Sequence, residues 1–124
     1  MDWQKWAHDF ELTDFGDFAG LFAEGGLFCD PVTPWTTDVQ AIADQTRTHF
    51  PDWSATVDSI RGDDRWAVFE WTGTGTFQAD TARPTPVTIH GATIVEVDDQ
   101  GQVTRWRDYL DTNEPLNQIK QALT

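Results

Sequence analysis

Positive charge and cysteine are both scarce in this sequence. Eight Lys and Arg side chains stand against 21 Asp and Glu, which gives a formal net charge of −13 at pH 7. A protein with this charge repels phosphates and anionic lipid headgroups, so we expect no nucleic-acid partner and no membrane partner. The single cysteine, Cys29, cannot form a disulfide within the chain.

Long apolar stretches are missing as well. No run of about 18 apolar residues occurs, so the sequence predicts no membrane-spanning helix. The first residues, MDWQKW, lack the apolar core of a secretory signal, which predicts a cytoplasmic protein. The three histidines do not have the spacing with a carboxylate that is typical of metal ligands, so we expect no metal site.

What the sequence does have is aromatic bulk in a chain of single-domain length. Its 124 residues fit one domain, residues 1–124. Seven Trp and eight Phe supply large apolar side chains for a core.

The first part of the chain has a helical period. Apolar residues spaced i, i+3, i+4 and i+7 predict a helix over residues 2–12. A second helix is predicted from Asp14 to the pair Gly25-Gly26, followed by a short extended piece over 27–31. A third helix is predicted over 38–50.

The period then changes to two, which is typical of strands. The predicted strands cover residues 53–61, 65–78, 87–97 and 102–110, with a loop at 79–86 and a last helix from residue 112. Helices followed by strands that short turns connect predict an α+β fold with an antiparallel sheet.

Asp108 stands out in the last predicted strand, TRWRDYLD (104–111). In an extended segment it shares one face with Thr104, Trp106 and Leu110. Burial beside apolar neighbours would raise the pKa of its carboxyl group, which suits general acid or base catalysis near neutral pH. Pairing with an arginine, or exposure at the strand end, explains the same pattern equally well.

Three further positions are candidates for a site. Asp30 is a second acid, although an Asp before a proline also forms turns. Gly73 leaves a bare patch on the face that it shares with Trp71, which predicts either a strongly curved sheet or space for a ligand. His90 falls on the polar face of its strand, and a bulge at Gly91 would be needed to turn it towards a pocket.

Four stretches together resemble one known family. FAEGGLFCDP, HFPDW, WTGTGTF and DDQGQVTRWRDYLD, in this order, look like the SnoaL-like branch of the nuclear transport factor 2-like superfamily. The resemblance implies a cone-shaped, curved antiparallel sheet that encloses a pocket and packs against N-terminal helices, with a short C-terminal helix. It also implies a homodimer.

The resemblance implies roles for particular residues. Asp108 falls where polyketide cyclases of the SnoaL type carry their acid/base aspartate. The stretch Trp106 to Asp111 is similar to limonene epoxide hydrolases as well. The Tyr, Asn, Arg and Asp of those hydrolases are replaced here, in that order, by Phe28, Asp30, Trp71 and Gly73.

The main functional hypothesis is an enzyme that needs no cofactor. Asp108 and Asp30 would be the catalytic pair, acting on a small hydrophobic, polyketide-like or steroid-like molecule in a cyclisation or isomerisation. The residues expected to contact this molecule are Phe28, Trp71, Gly73, His90, Trp106 and Leu110. The alternatives are a non-catalytic module for small-molecule binding or dimerisation and, third, an epoxide hydrolase-like enzyme.

Overall fold

The computed structural model describes residues 1–79 and 82–122. In chain order the elements are α1 (Trp3–Leu12), the 3-10 helix η1 (Phe15–Leu21), β1 (Phe22–Asp30), β2 (Thr33–Thr36), α2 (Val39–His49), β3 (Ser54–Gly62), β4 (Trp66–Ala79), β5 (Ala82–Val97), β6 (Val103–Leu110) and α3 (Asn113–Ala122). Over these residues, no helix combines the length and the apolar character that crossing a bilayer requires.

The strands form one curved, open sheet in the order β2-β1-β6-β5-β4-β3. Neighbouring strands are antiparallel, except that β1 and β6 are parallel. The predicted α+β class, with helices ahead of the sheet and a short helix after it, is confirmed. The sequence does not predict the parallel pairing of β1 with β6. These strands are far apart in the chain, so no local pattern indicates that they pair.

The predicted first and third helices are confirmed, and each begins after a capping aspartate. Asp2 accepts a hydrogen bond from the backbone N–H of Lys5 at 3.0 Å, and α1 follows. Asp38 accepts one from the N–H of Ala41 at 3.2 Å, and α2 follows. A carboxylate at the first position satisfies N–H groups that have no partner within the helix, so these aspartates fix where the helices begin.

The predicted second helix is wrong beyond Leu21. A 3-10 helix ends there, and the chain from Phe22 onwards belongs to β1. Gly25 has φ +75°, and the pairing of β1 with β6 shifts between Phe22 and Leu27. The glycine pair therefore forms a bulge within a strand, because glycine adopts positive φ without a steric penalty.

A loop and a short strand also differ from the sequence prediction. The predicted loop 79–86 is partly strand, since β5 begins at Ala82. Residues 80 and 81 of that loop lie outside the described residues, as do residues 123 and 124. The sequence does not predict β2 because it contains Pro34. β2 is an edge strand, where a missing N–H donor is tolerated.

Aromatic rings pack between the first two helices and the inner face of the sheet. The ring centroid of Trp106 on β6 lies 5.0 Å from Phe18 on η1 and 5.5 Å from Phe10 on α1. It also lies 5.4 Å from Phe69 on β4. These contacts hold the helices over the sheet by burying large apolar area.

Glycines on the inner face make room for indole rings. A Cβ atom at Gly73 would overlap the indole of Trp53, and one at Gly91 would overlap that of Trp71. The bare patch that the sequence predicts at Gly73 is therefore occupied by a side chain of the protein itself.

Replacing Gly91→Ala should destabilise the fold, because the added methyl group displaces the indole of Trp71. We expect a loss of about 1–3 kcal/mol in the free energy of unfolding, measured by urea denaturation. Gly20→Ala is the matched control, since a Cβ at Gly20 meets no atom within 4 Å. Equal stability of the two variants would contradict this account of the packing.

Candidate functional site

A cavity of about 340 Å³ lies between the helices α1, η1 and α2 and the inner face of the sheet. Ten of the described residues that line it are aromatic. The lining residues with a carboxyl, amide, hydroxyl or imidazole group are Asp30, Gln45, Thr46, His49 and Asp108. A small volume, apolar walls and few polar groups are typical of a site for a small molecule.

Asp108 is held in the cavity wall by two hydrogen bonds to one carboxyl oxygen. Thr93 donates its hydroxyl to Oδ1 at 2.5 Å, and Trp106 donates its Nε1–H to the same oxygen at 2.8 Å. The Thr93 hydroxyl in turn accepts a hydrogen bond from Trp71 Nε1 at 2.9 Å. Within the described part of the chain, no hydrogen bond is donated to Oδ2, so this second oxygen is available to a bound molecule.

Burial raises the pKa of Asp108 from 3.8 to about 7. The loss of hydration in the apolar wall is the largest cause. The hydrogen bonds from Thr93 and Trp106 lower the pKa, because they stabilise the carboxylate, whereas the nearby charge of Asp30 raises it. Both protonation states of Asp108 are therefore populated at neutral pH, which a group that takes and returns a proton requires.

The arginines of β6 point away from the cavity. Arg105 Nη1 lies 3.4 Å from Glu96 Oε2, and its guanidinium carbon lies 4.4 Å from the ring centroid of Trp35. The guanidinium carbon of Arg107 lies 5.0 Å from the ring centroid of Tyr109. The alternative in which one of these arginines neutralises Asp108 is therefore wrong.

The predicted alternation along β6 holds from Trp106 to Leu110 but not at Thr104. Thr104 is exposed and Val103 is buried in its place. The reason is a shift in the pairing of β5 with β6 beside Val97, which changes the phase of the strand before it reaches Asp108.

Asp30 lies next to Asp108 because β1 and β6 are parallel. The register pairs Phe28 with Trp106 and Cys29 with Arg107, and the next residues of the two strands are the acids Asp30 and Asp108, which both line the cavity.

Asp30 also closes the turn between β1 and β2. Its Oδ1 accepts hydrogen bonds from the backbone N–H groups of Val32 at 2.9 Å and Thr33 at 2.7 Å. The turn role and the cavity role are alternatives from the sequence alone, but one residue has both: Asp30 lines the cavity while its Oδ1 accepts the hydrogen bonds of the turn.

The other residues proposed from the sequence divide into two groups. Phe28, Trp71, Trp106 and Leu110 line the cavity together with the two acids. Gly73 does not contact the cavity, because Trp53 covers it.

His90 lies outside the cavity, which corrects the expectation that it contacts a bound molecule. Its ring Nδ1 lies 3.1 Å from a carboxyl oxygen of Glu114 on α3, and its side chain is 64% exposed. No bulge interrupts the pairing at Gly91, so His90 stays on the outer face. Within residues 1–79 and 82–122, no three His, Cys, Asp or Glu side chains come together as a metal site would require.

Thr93 is the residue that the sequence reasoning missed. It is fully buried and connects Trp71 to Asp108. Its signal is present in the sequence, because it is a hydroxyl residue in the alternation of apolar residues that runs from Val87 to Val97. Gln45 and His49 also line the cavity, although neither belongs to the apolar stripe that predicts their helix.

Comparison with known proteins identifies the family. Residues 3–106 match the SnoaL-like domain family, and the chain belongs to it. None of the curated proteins matches the sequence. Among solved structures, a phenazine biosynthesis-related protein from Pseudomonas aeruginosa is similar with a TM-score of 0.78 and 19% identity, over 94% of this chain and 84% of that one.

Two further solved structures share the fold. A candidate polyketide cyclase from Acidithiobacillus ferrooxidans has a TM-score of 0.75 and 19% identity, over 97% of this chain and 92% of that one. An epoxide hydrolase from Mycobacterium tuberculosis that resembles limonene epoxide hydrolase has a TM-score of 0.69 and 18% identity, over 97% and 87%. At these identities the similarity establishes the fold.

Proposed function

We propose that this protein is a cofactor-free acid/base enzyme in which Asp108 moves the proton. The observation that carries the proposal is the geometry of its carboxyl group. Oδ1 is held by Thr93 and Trp106, Oδ2 receives no hydrogen bond from the described residues, and Asp108 lines an apolar cavity of about 340 Å³. A fixed carboxyl group that exchanges protons near neutral pH is what general acid/base catalysis needs.

The substrate is a flat, apolar molecule with a carbonyl group, of polyketide-like or steroid-like character. Aromatic walls favour flat molecules, because stacked or edge-on ring contacts add to the burial of apolar area. The SnoaL-like family and the similarity to a candidate polyketide cyclase support this class.

The reaction begins when ionised Asp108 removes a proton from the carbon next to the carbonyl. The C–H bond breaks, its proton goes to Oδ2, and its electron pair delocalises into the carbonyl to form an enolate. Gln45, Thr46 and His49 are the lining residues on α2 that can donate a hydrogen bond to the enolate oxygen. Neutral Asp108 then returns the proton at another atom, which completes an isomerisation or follows ring closure.

Epoxide hydrolysis has less support. The resemblance matches the water-holding Tyr of the hydrolases with Phe28, which has no hydroxyl group. It matches their Arg with Trp71, whose N–H is donated to Thr93. Without these groups the cavity lacks the means to hold a water and protonate an epoxide as those enzymes do.

Exchange of hydrogen for deuterium in 2-tetralone, a flat ketone, tests the proposal without knowledge of the natural substrate. The wild-type protein should catalyse exchange next to the carbonyl, measured by NMR in D₂O. The rate should rise as pH increases through about 7, because only the ionised form of Asp108, whose pKa is raised to about 7, removes a proton.

Asp108→Asn should slow this exchange by about 100-fold or more, since general-base catalysis contributes roughly that factor. His90→Gln is the control and should exchange at the wild-type rate, because His90 lies outside the cavity. If Asp108→Asn exchanges as fast as wild type, Asp108 is not the acid/base group and the non-catalytic binding module becomes the better description.

We also propose a homodimer formed through the outer face of the sheet. Val68, Ile94 and Tyr109 are exposed apolar residues on three adjoining strands, with exposures of 37%, 39% and 45%. Val68 and Ile94 are direct neighbours in the register of β4 and β5. On β6 the direct neighbour of Ile94 is Arg107, and Tyr109 pairs with Ala92, two residues from Ile94 on the same face. Exposed apolar side chains grouped on one face of a sheet are typical of a protein interface.

Ile94→Asp should convert the dimer to a monomer, because it replaces an exposed apolar side chain of this face with a charged one. Analytical ultracentrifugation measures the mass in solution. Val32→Asp is the matched control, since Val32 is 78% exposed in the turn after β1 and should leave the dimer intact. A wild-type protein that sediments as a monomer would contradict the proposal.

A further inference from the structure

Among the described residues that line the cavity, two have carboxyl groups, and His49 is the one with a basic side chain. Asp30 and Asp108 stand side by side on β1 and β6, and no Lys or Arg is among the described residues that line the cavity. Neither acid takes part in an ion pair within the described part of the chain. Buried or half-buried carboxylates normally have a partner of opposite charge. Because the described residues supply no such partner here, a bound molecule can supply it.

We propose that the molecule bound in this cavity carries a positively charged nitrogen, a protonated amine or a quaternary ammonium group, and that Asp30 is the residue that binds it. This inference rests on the proposed function and names the substrate class of the same site. Asp108 moves the proton, and Asp30 orients the substrate through its charge.

The geometry of Asp30 suits this role. Its Oδ1 is fixed by two backbone N–H groups of the turn, from Val32 and Thr33. Its Oδ2 receives no hydrogen bond from the residues that the structure describes, so it can accept one from an ammonium group. A carboxylate that the turn already orients loses little side-chain entropy when a ligand binds.

Aromatic rings next to the acids favour the same ligand. Phe28 and Trp106 lie two residues before Asp30 and Asp108 on the same face, and Trp71 lies on the same cavity wall. The faces of aromatic rings attract cations, and the attraction is larger where water is excluded. Carboxylates together with rings are a usual arrangement for the recognition of ammonium groups.

The charge of the whole protein acts in the same direction. A formal net charge of −13 attracts cations and repels anions. An anionic substrate would have to overcome this field and then approach two acids, whereas a cationic one is favoured at both stages.

Three probes of similar shape and different charge test the inference. They are 1-naphthylmethylamine, which is a cation at pH 6, the neutral 1-naphthalenemethanol, and the anionic 1-naphthoate. Affinity is measured by calorimetry at pH 6, where Asp108, with its pKa raised to about 7, is mostly protonated. His49 is the histidine among the described lining residues. It is present in every variant, so it does not affect the comparison between variants. We expect the amine to bind at least about tenfold more tightly than the alcohol, and the carboxylate to bind least.

Asp30→Asn should remove most of the preference for the amine over the alcohol, while the alcohol binds as before. The amide oxygen can still accept the hydrogen bonds of the turn, so unchanged circular dichroism and an unchanged melting temperature verify the fold. Glu24→Gln is the matched control: it removes one charge from an exposed position on the same strand and should keep the preference.

Two results would overturn the inference. One is an alcohol that binds as tightly as the amine in the wild-type protein, and the other is a preference that Asp30→Asn leaves intact. Either result would leave the acid/base function standing if the exchange of 2-tetralone still depends on Asp108. Conversely, a preference for the amine that depends on Asp30 supports the inference even if Asp108→Asn does not slow exchange.

Discussion

The burial of one carboxyl group among aromatic rings is the constraint on which the site depends. Trp71, Thr93 and Asp108 come from three adjoining strands, β4, β5 and β6, and one chain of hydrogen bonds connects them across the sheet. Thr93 and Asp108 are direct partners in the register of β5 and β6. The sheet that forms the core therefore also fixes the position of the acid, so the site does not depend on a mobile loop.

Large side chains create the cavity and also limit it. The indoles of Trp53 and Trp71 reach across the inner face only because Gly73 and Gly91 have no Cβ atoms beneath them. This arrangement puts rings into the space above the sheet, leaves about 340 Å³ for a ligand, and surrounds the half-buried Asp108 with apolar side chains. Apolar packing thus raises the pKa of the acid and selects the shape of the molecule beside it.

The sequence predicts those features that depend on local patterns. The helical period predicts α1 and α2, and a period of two places Asp108 on the same face as Trp106 and Leu110. Pairing between distant strands leaves no such local signal. For this reason the pairing of Asp30 with Asp108 follows from the family resemblance and not from any local pattern, and the sequence predicts the end of a helix where β1 has a glycine bulge.

The central claim is that Asp108 is a buried acid with a perturbed pKa, and NMR titration tests it most directly. The carboxyl carbon of Asp108 in ¹³C-labelled protein can be assigned by its absence from the spectrum of Asp108→Asn. The account predicts a midpoint at about pH 7. A midpoint near 3.8, the ordinary pKa of an aspartate, would mean that water reaches this carboxyl group, and would contradict the account.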